Sequence, residues 1–168
     1  MRWIWIDRFL EFQPRQSALA VKNTSLAEDH FAQHFPGYPV MPASLMLEGL
    51  AQTGGILVGH AFAFQEKVVL AKIPKAQFHR DVLAGETLHY QVQVIDLRPE
   101  GASIKGTITS DNELVAEAEI MFIHLDRSMA GRLFGDNNFV FSGELKKILG
   151  LSQLAPDAAE PANTPTAG

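Results

Sequence analysis

The segment from Ala43 to Phe64 limits what this chain can fold into more than any other feature. Its apolar residues, Leu45, Met46, Leu47, Leu50, Ala51, Ile56, Leu57 and Val58, fall on every face of a helix beginning just after Pro42. A helix apolar all round has to be covered on all sides. Glu48, Gln52 and His60 interrupt the run. A charged group at mid-bilayer costs about 3 kcal/mol, so the segment reads as a buried helix rather than a membrane span. Gly49, Gly54 and Gly55 each weaken it by about 1 kcal/mol against alanine, which close approach by other backbone offsets.

The rest of the chain supplies the cover. Residues 3–12 look extended, 17–24 alternate loosely as a strand does, and Glu28 to Gln33 make one helical turn. After the helix, 68–78, 87–97, 102–110 and 113–124 are strand-like. Turns fall at 83–86, at Pro99-Glu100-Gly101 and at Asp111-Asn112. Strands near this length joined by short turns predict an antiparallel meander. The expected class is α+β, a curved antiparallel sheet wrapped around a long central apolar helix.

Residues 1–125 are read as the folded domain. A C-terminal extension over 126–151 carries Phe139, Val140, Phe141, Leu145, Ile148 and Leu149 and is expected to dock on the body. Residues 152–168 are rich in Ala and Pro, the composition of a disordered tail. With 46% hydrophobic and 20% charged residues, the chain has core material for one soluble domain. The absence of cysteine excludes disulfides, thiolate zinc sites and a cysteine nucleophile. A net charge of -5 argues against a broad basic face for nucleic acid. Asp7 and Arg8 cut short the apolar start, so no signal peptide is read and the expected location is the cytoplasm.

Two residues stand out chemically. His34 opens a block, His34-Phe35-Pro36-Gly37-Tyr38-Pro39-Val40-Met41-Pro42, whose prolines forbid a helix and make a stiff, shaped loop. Glu48 lies in the second turn of the apolar helix. A buried carboxylate is costly unless paired, protonated or functional, and burial raises a carboxyl's pKa toward neutrality. A neutral imidazole and a protonated carboxyl form the set that removes a proton from one carbon and returns one to a leaving hydroxyl. The amides of Ala43 and Ser44, at the helix start, lack partners within the helix and could polarise a carbonyl. Bland readings stand beside these. A histidine near a proline-rich loop is more often structural, and a lone glutamate on an apolar helix is as often half-exposed or hydrogen-bonded in the core. Gln52, four residues after Glu48, either orients the acid or bonds backbone. His30, His60, His79, His89 and His124 show no metal-ligand spacing, and the glutamate of an HExxH motif is missing, so neither metal nor cofactor is expected.

The His34–Pro42 block with Leu45, Leu47-Glu48 and Ala51-Gln52 resembles the active-site signature of the 3-hydroxyacyl-acyl-carrier-protein dehydratases, which have the hot-dog fold. Asp7-Arg8, Phe78 to Leu88 and Glu113 to Glu119 are similar to other family segments, so the resemblance covers roughly 4–124. It implies that His34 removes the C2 proton and that Glu48 protonates the departing C3 hydroxyl, directly or through a water. It implies that the two residues meet across a homodimer interface, with dimer and hexamer both open since dimers of this family often assemble further, and that the acyl chain lies in an apolar tunnel there. Glu48, rather than Asp, resembles the dehydratase-only branch. Ala43 stands where the family has Gly. Lys72, Lys75 and Arg80 could meet an acidic acyl carrier protein. The rival expectations are a hot-dog acyl thioesterase and a non-catalytic protein that binds an acyl carrier.

Overall fold

A computed structural model describes residues 3–125 and Gly150. The expected extension, 126–151 apart from Gly150, and the expected tail, 152–168, lie outside the described residues. The chain runs β1 (Arg8–Gln13), β2 (Ser17–Asn23), α1 (Asp29–Gln33), α2 (Ala43–Ala61), β3 (Lys67–Phe78), β4 (Thr87–Arg98), β5 (Gly101–Ser110) and β6 (Glu113–Leu125). The strands form one six-stranded sheet in the order β1-β2-β4-β5-β6-β3. Every neighbouring pair is antiparallel.

Helix α2 lies on one face of this sheet. Alternation along the strands supplies the other half of the core: Leu88, Tyr90 and Val92 of β4, Ala102, Ile104 and Ile108 of β5, and Ala118, Ile120 and Phe122 of β6 all turn inward and are buried. From Gly49 to Gly59 the helix is buried at every position except Gln52. Its start is not enclosed as its sequence suggests. Ala43 and Ser44 are exposed, and Leu45, Leu47 and Glu48 are half-buried, because the first turns stand clear of the sheet. It runs 19 residues and stops at Ala61, short of the end of the apolar segment, where Ala63 and Phe64 take positive φ.

The expected meander holds for β4, β5 and β6 but not for β3. Strand β3 pairs with β6 at the sheet edge, over Lys67↔Leu125 to Phe78↔Ala116. The reason is the length of residues 79–86, too long for a tight hairpin. They pass across the end of the sheet from the edge to β4. By contrast, Asp111 (φ 51°) and Asn112 (φ 65°) are a two-residue hairpin turn with both centres left-handed, as the twist of the flanking strands favours.

Candidate active site

The proline-rich block folds as two tight elements. Phe35 and Tyr38 exchange both backbone hydrogen bonds (2.9 Å each) around Pro36-Gly37. Gly37 has φ 83°, the value a type II turn requires after its proline, and a side chain there would be strained. The flanks are then tied down. The Val40 amide donates to the His34 carbonyl (2.9 Å) and the Met41 amide to the Val82 carbonyl (2.8 Å), while Val40 bridges to Leu83. The crossing segment 79–86 is thus the clamp that holds this loop against the body.

The clamp is itself braced by charge. Arg80 donates to both carboxylate oxygens of Glu86 (3.1 and 2.8 Å), and the Leu83 amide donates to Glu86 Oε1 (2.7 Å). Burial pushes the Glu86 carboxyl up, but these donors outweigh it and hold the group below the usual carboxylate range. Arg80 is therefore engaged within the chain, as is Lys75, which pairs with Glu117 (2.9 Å).

His34 follows α1, and its Nδ1 lies 3.2 Å from the Val40 carbonyl oxygen. A carbonyl only accepts, so Nδ1 carries the proton and a neutral ring presents the lone pair of Nε2. The ring stacks on Phe35 at 4.0 Å. At the helix start, the Leu45 and Met46 amides both bond the Pro42 carbonyl (3.0 and 3.2 Å). Those of Ala43 and Ser44 have no partner among the described residues, and their positions are exposed. The two amides singled out from sequence are thus the two left open.

Glu48 is half-buried, and its Oε1 accepts from Gln52 Nε2 at 2.9 Å. Gln52 also donates to the Trp3 carbonyl (3.1 Å) and accepts from the Trp5 amide (2.8 Å). Gln52 thus contacts both the Glu48 carboxylate and backbone groups. Glu48 and Gln52 line a pocket of about 180 Å3 with Ala51, Gly55, Val68, Val69, Leu70 and Phe122, between α2 and strands β3 and β6. Glu48 is the sole charged residue in that lining.

The structure brings Glu48 and Gln52 together, and His34 into one loop with Val40. It does not join His34 to Glu48 within one chain: no hydrogen bond or ion pair connects them among the described residues. Sequence reasoning missed the Trp3 and Trp5 backbone groups at Gln52, because a main-chain contact has no side-chain signature. It also missed Tyr90, a fully buried ring under Gly49 whose hydroxyl has no partner and which burial pushes up.

The family model of the FabA-like domain matches residues 3–119. The 3-hydroxyacyl-[acyl-carrier-protein] dehydratase FabZ of Hydrogenobaculum sp. is 40% identical over 119 residues, which are 69% of this chain and 80% of that protein. Among solved structures, the dehydratase heterocomplex ApeI:P from Xenorhabdus doucetiae aligns with a TM-score of 0.66 at 12% identity, covering 80% of this chain and 91% of that one. A hot-dog-like protein from Thermanaerovibrio acidaminovorans aligns with a TM-score of 0.61 at 13% identity, covering 72% and 89%. At such identities the structures speak for the hot-dog fold alone.

Proposed function

Since this chain belongs to the FabA-like family and is a 3-hydroxyacyl-[acyl-carrier-protein] dehydratase, we propose that His34 and Glu48 are its reacting pair, contributed by two copies of the chain, in fatty-acid or related acyl synthesis. The observation that carries the assignment is Glu48 standing as the one carboxylate in an apolar pocket. An acyl chain fits the apolar lining, and the acid then meets the first oxygen-bearing carbons.

The steps balance with these groups alone. Nε2 of His34 takes the C2 proton, and the electron pair of that C–H bond forms the C2–C3 double bond. The C3–O bond breaks as the protonated Glu48 gives its proton to the departing hydroxyl, releasing water. Charge accumulating on the thioester carbonyl is met by the open amides of Ala43 and Ser44. Afterwards His34 is protonated and Glu48 ionised, and one proton moves back between them through solvent.

Two features support a shared site. His34 and Glu48 do not meet within one chain. Edge strand β3 exposes Leu70 and Phe78 along an unpaired side, which a second copy can cover. An acidic acyl carrier protein is the proposed partner. Because Lys75 and Arg80 are already engaged by Glu117 and Glu86, Lys72 is the member of the basic trio left to meet it.

The test is turnover of 3-hydroxyacyl thioesters on acyl carrier protein, followed as enoyl absorbance. His34→Ala and Glu48→Gln are each expected to lose about 10²–10⁴-fold. Mixing the two dead variants is expected to restore about a quarter of parental turnover, since half the dimers are mixed and each has one intact site. No restoration would place both groups in one subunit. Free acid as product would make the protein a thioesterase. Carrier binding without turnover at several chain lengths would make it non-catalytic.

A further inference from the structure

The segment Trp3–Asp7 lies outside the sheet proper and crosses α2. It is held from both sides. Trp5 and Ile6 are buried, the Trp5 ring packs against His30 at 5.4 Å, and the Lys22 ammonium sits 5.7 Å from its centroid. Further along, the Asp7 amide donates to the Val21 carbonyl (2.7 Å), and its carboxylate accepts from the Asn23 amide (2.7 Å). The backbone from Trp5 to Asp7 is thus anchored at both ends, while Trp3, whose side chain is exposed, is tied through its carbonyl to Gln52.

That fixed backbone meets Gln52. The Trp5 N–H points at Gln52 Oε1, the Trp3 carbonyl at Gln52 Nε2, and Glu48 Oε1 at the same nitrogen. A primary amide has two N–H donors and a carbonyl acceptor. Both donors and the oxygen are used here. Turning the amide over would set its oxygen against two acceptors and its NH2 against the Trp5 N–H. One orientation is therefore enforced by backbone, and in it Gln52 is a donor to Glu48.

We propose that the Trp3–Trp5 backbone is a positioning element for the catalytic acid, acting through Gln52 to commit Glu48 Oε1 as an acceptor and so leave the acid proton on Oε2. In a protonated carboxyl the carbonyl oxygen is the better acceptor, so an N–H held on Oε1 favours the form with Oε1 as the carbonyl and the proton on the other oxygen. Oε2 has no partner among the described residues, and it belongs to the residue that lines the pocket. Strap, amide and acid form a chain of contacts that presents a proton in one direction. The inference rests on the reading of Glu48 as the acid.

The test leaves the fold nearly untouched. The full-length protein is made with an ester in place of the Ile4–Trp5 peptide bond, using the hydroxy-acid analogue of tryptophan, which removes only the N–H that orients Gln52. Gln52→Met, similar in size and without the amide, is measured beside it. Both are expected to lower kcat about tenfold, below the loss for removing the acid itself, with KM within a factor of about two because the substrate is not touched. Gln52→Glu, which keeps reach but cannot donate as an anion, is expected to follow Gln52→Met. Parental kcat in the ester variant with a lowered Tm would overturn the inference and make Gln52 a structural staple. If Glu48→Gln itself retained activity, the reading of the acid would fall instead, so the two failures are distinct.

Discussion

At the scale of single residues, the local electrostatics carry most of the predictions. Glu28 accepts from Lys22 (2.7 Å), whose side chain is 6% exposed. Burial pushes the Glu28 carboxyl up, but Lys22 and the Ser25 amide outweigh it and hold it low, as the donors do at Glu86. Both folded-state values lie below those of the unfolded chain. Their stabilisation is therefore fully present above the ordinary glutamate range and is lost as pH falls through the depressed values. Urea midpoints measured from pH 6 down to pH 3 are expected to fall less steeply for Glu86→Gln than for the parent, and parallel curves would contradict this. Glu28→Gln replaces the charged partner of the buried Lys22 by a neutral oxygen that can still accept, and the expected loss is about 1–3 kcal/mol.

At the scale of elements, α2 and the sheet meet where side chains are absent. A Cβ on Gly49 would come 2.5 Å from the Tyr90 ring and 2.7 Å from its hydroxyl. The ring is rigid and fully buried, so it cannot swing aside as the end of a flexible chain would. Gly49→Ala gains about 1 kcal/mol of helix propensity and meets an overpacking cost of about 1–3 kcal/mol. The expected net effect is destabilising, and it should shrink in a Tyr90→Leu background. Equal costs in both backgrounds, read from denaturation midpoints, would contradict the contact. Leu50 is fully buried and fills the space beside Gly106, so Leu50→Ala is expected to cost about 2–5 kcal/mol while sparing KM in the fraction that stays folded.

At the scale of the whole molecule, the sheet order decides where chemistry can happen. Putting β3 at the edge beside β6 sends residues 79–86 across the sheet end, where Val82 and Leu83 hold the His34 loop. The same order opens a pocket between α2 and β3 with Glu48 in its wall. Among the described residues, no helix is long and apolar enough to cross a membrane. Dilution is the molecular-scale measurement. If each site needs two copies, turnover per chain is expected to fall once the protein is diluted below its dimer dissociation constant. Constant specific turnover in a proven monomer would rule that out.

Much of this was legible from local pattern alone. The apolar run after Pro42 declared a covered helix, alternation declared the strands, and Asp111-Asn112 declared a hairpin, because each depends on neighbours within a few residues. The candidates His34 and Glu48 and the open amides of Ala43 and Ser44 could also be singled out there, since a proline-rich loop and a helix start are local objects. Three things needed the tertiary structure. The pairing of β3 with β6 depends on which distant edge a strand finds. The exposure of the first turns of α2 depends on how far the sheet reaches. The orientation of Gln52 depends on main-chain atoms of Trp3 and Trp5, 49 and 47 residues away, which every amino acid shares. Side-chain periodicity reports what a residue prefers to be near, while long-range register and backbone contacts are settled only when all the elements compete for the same space.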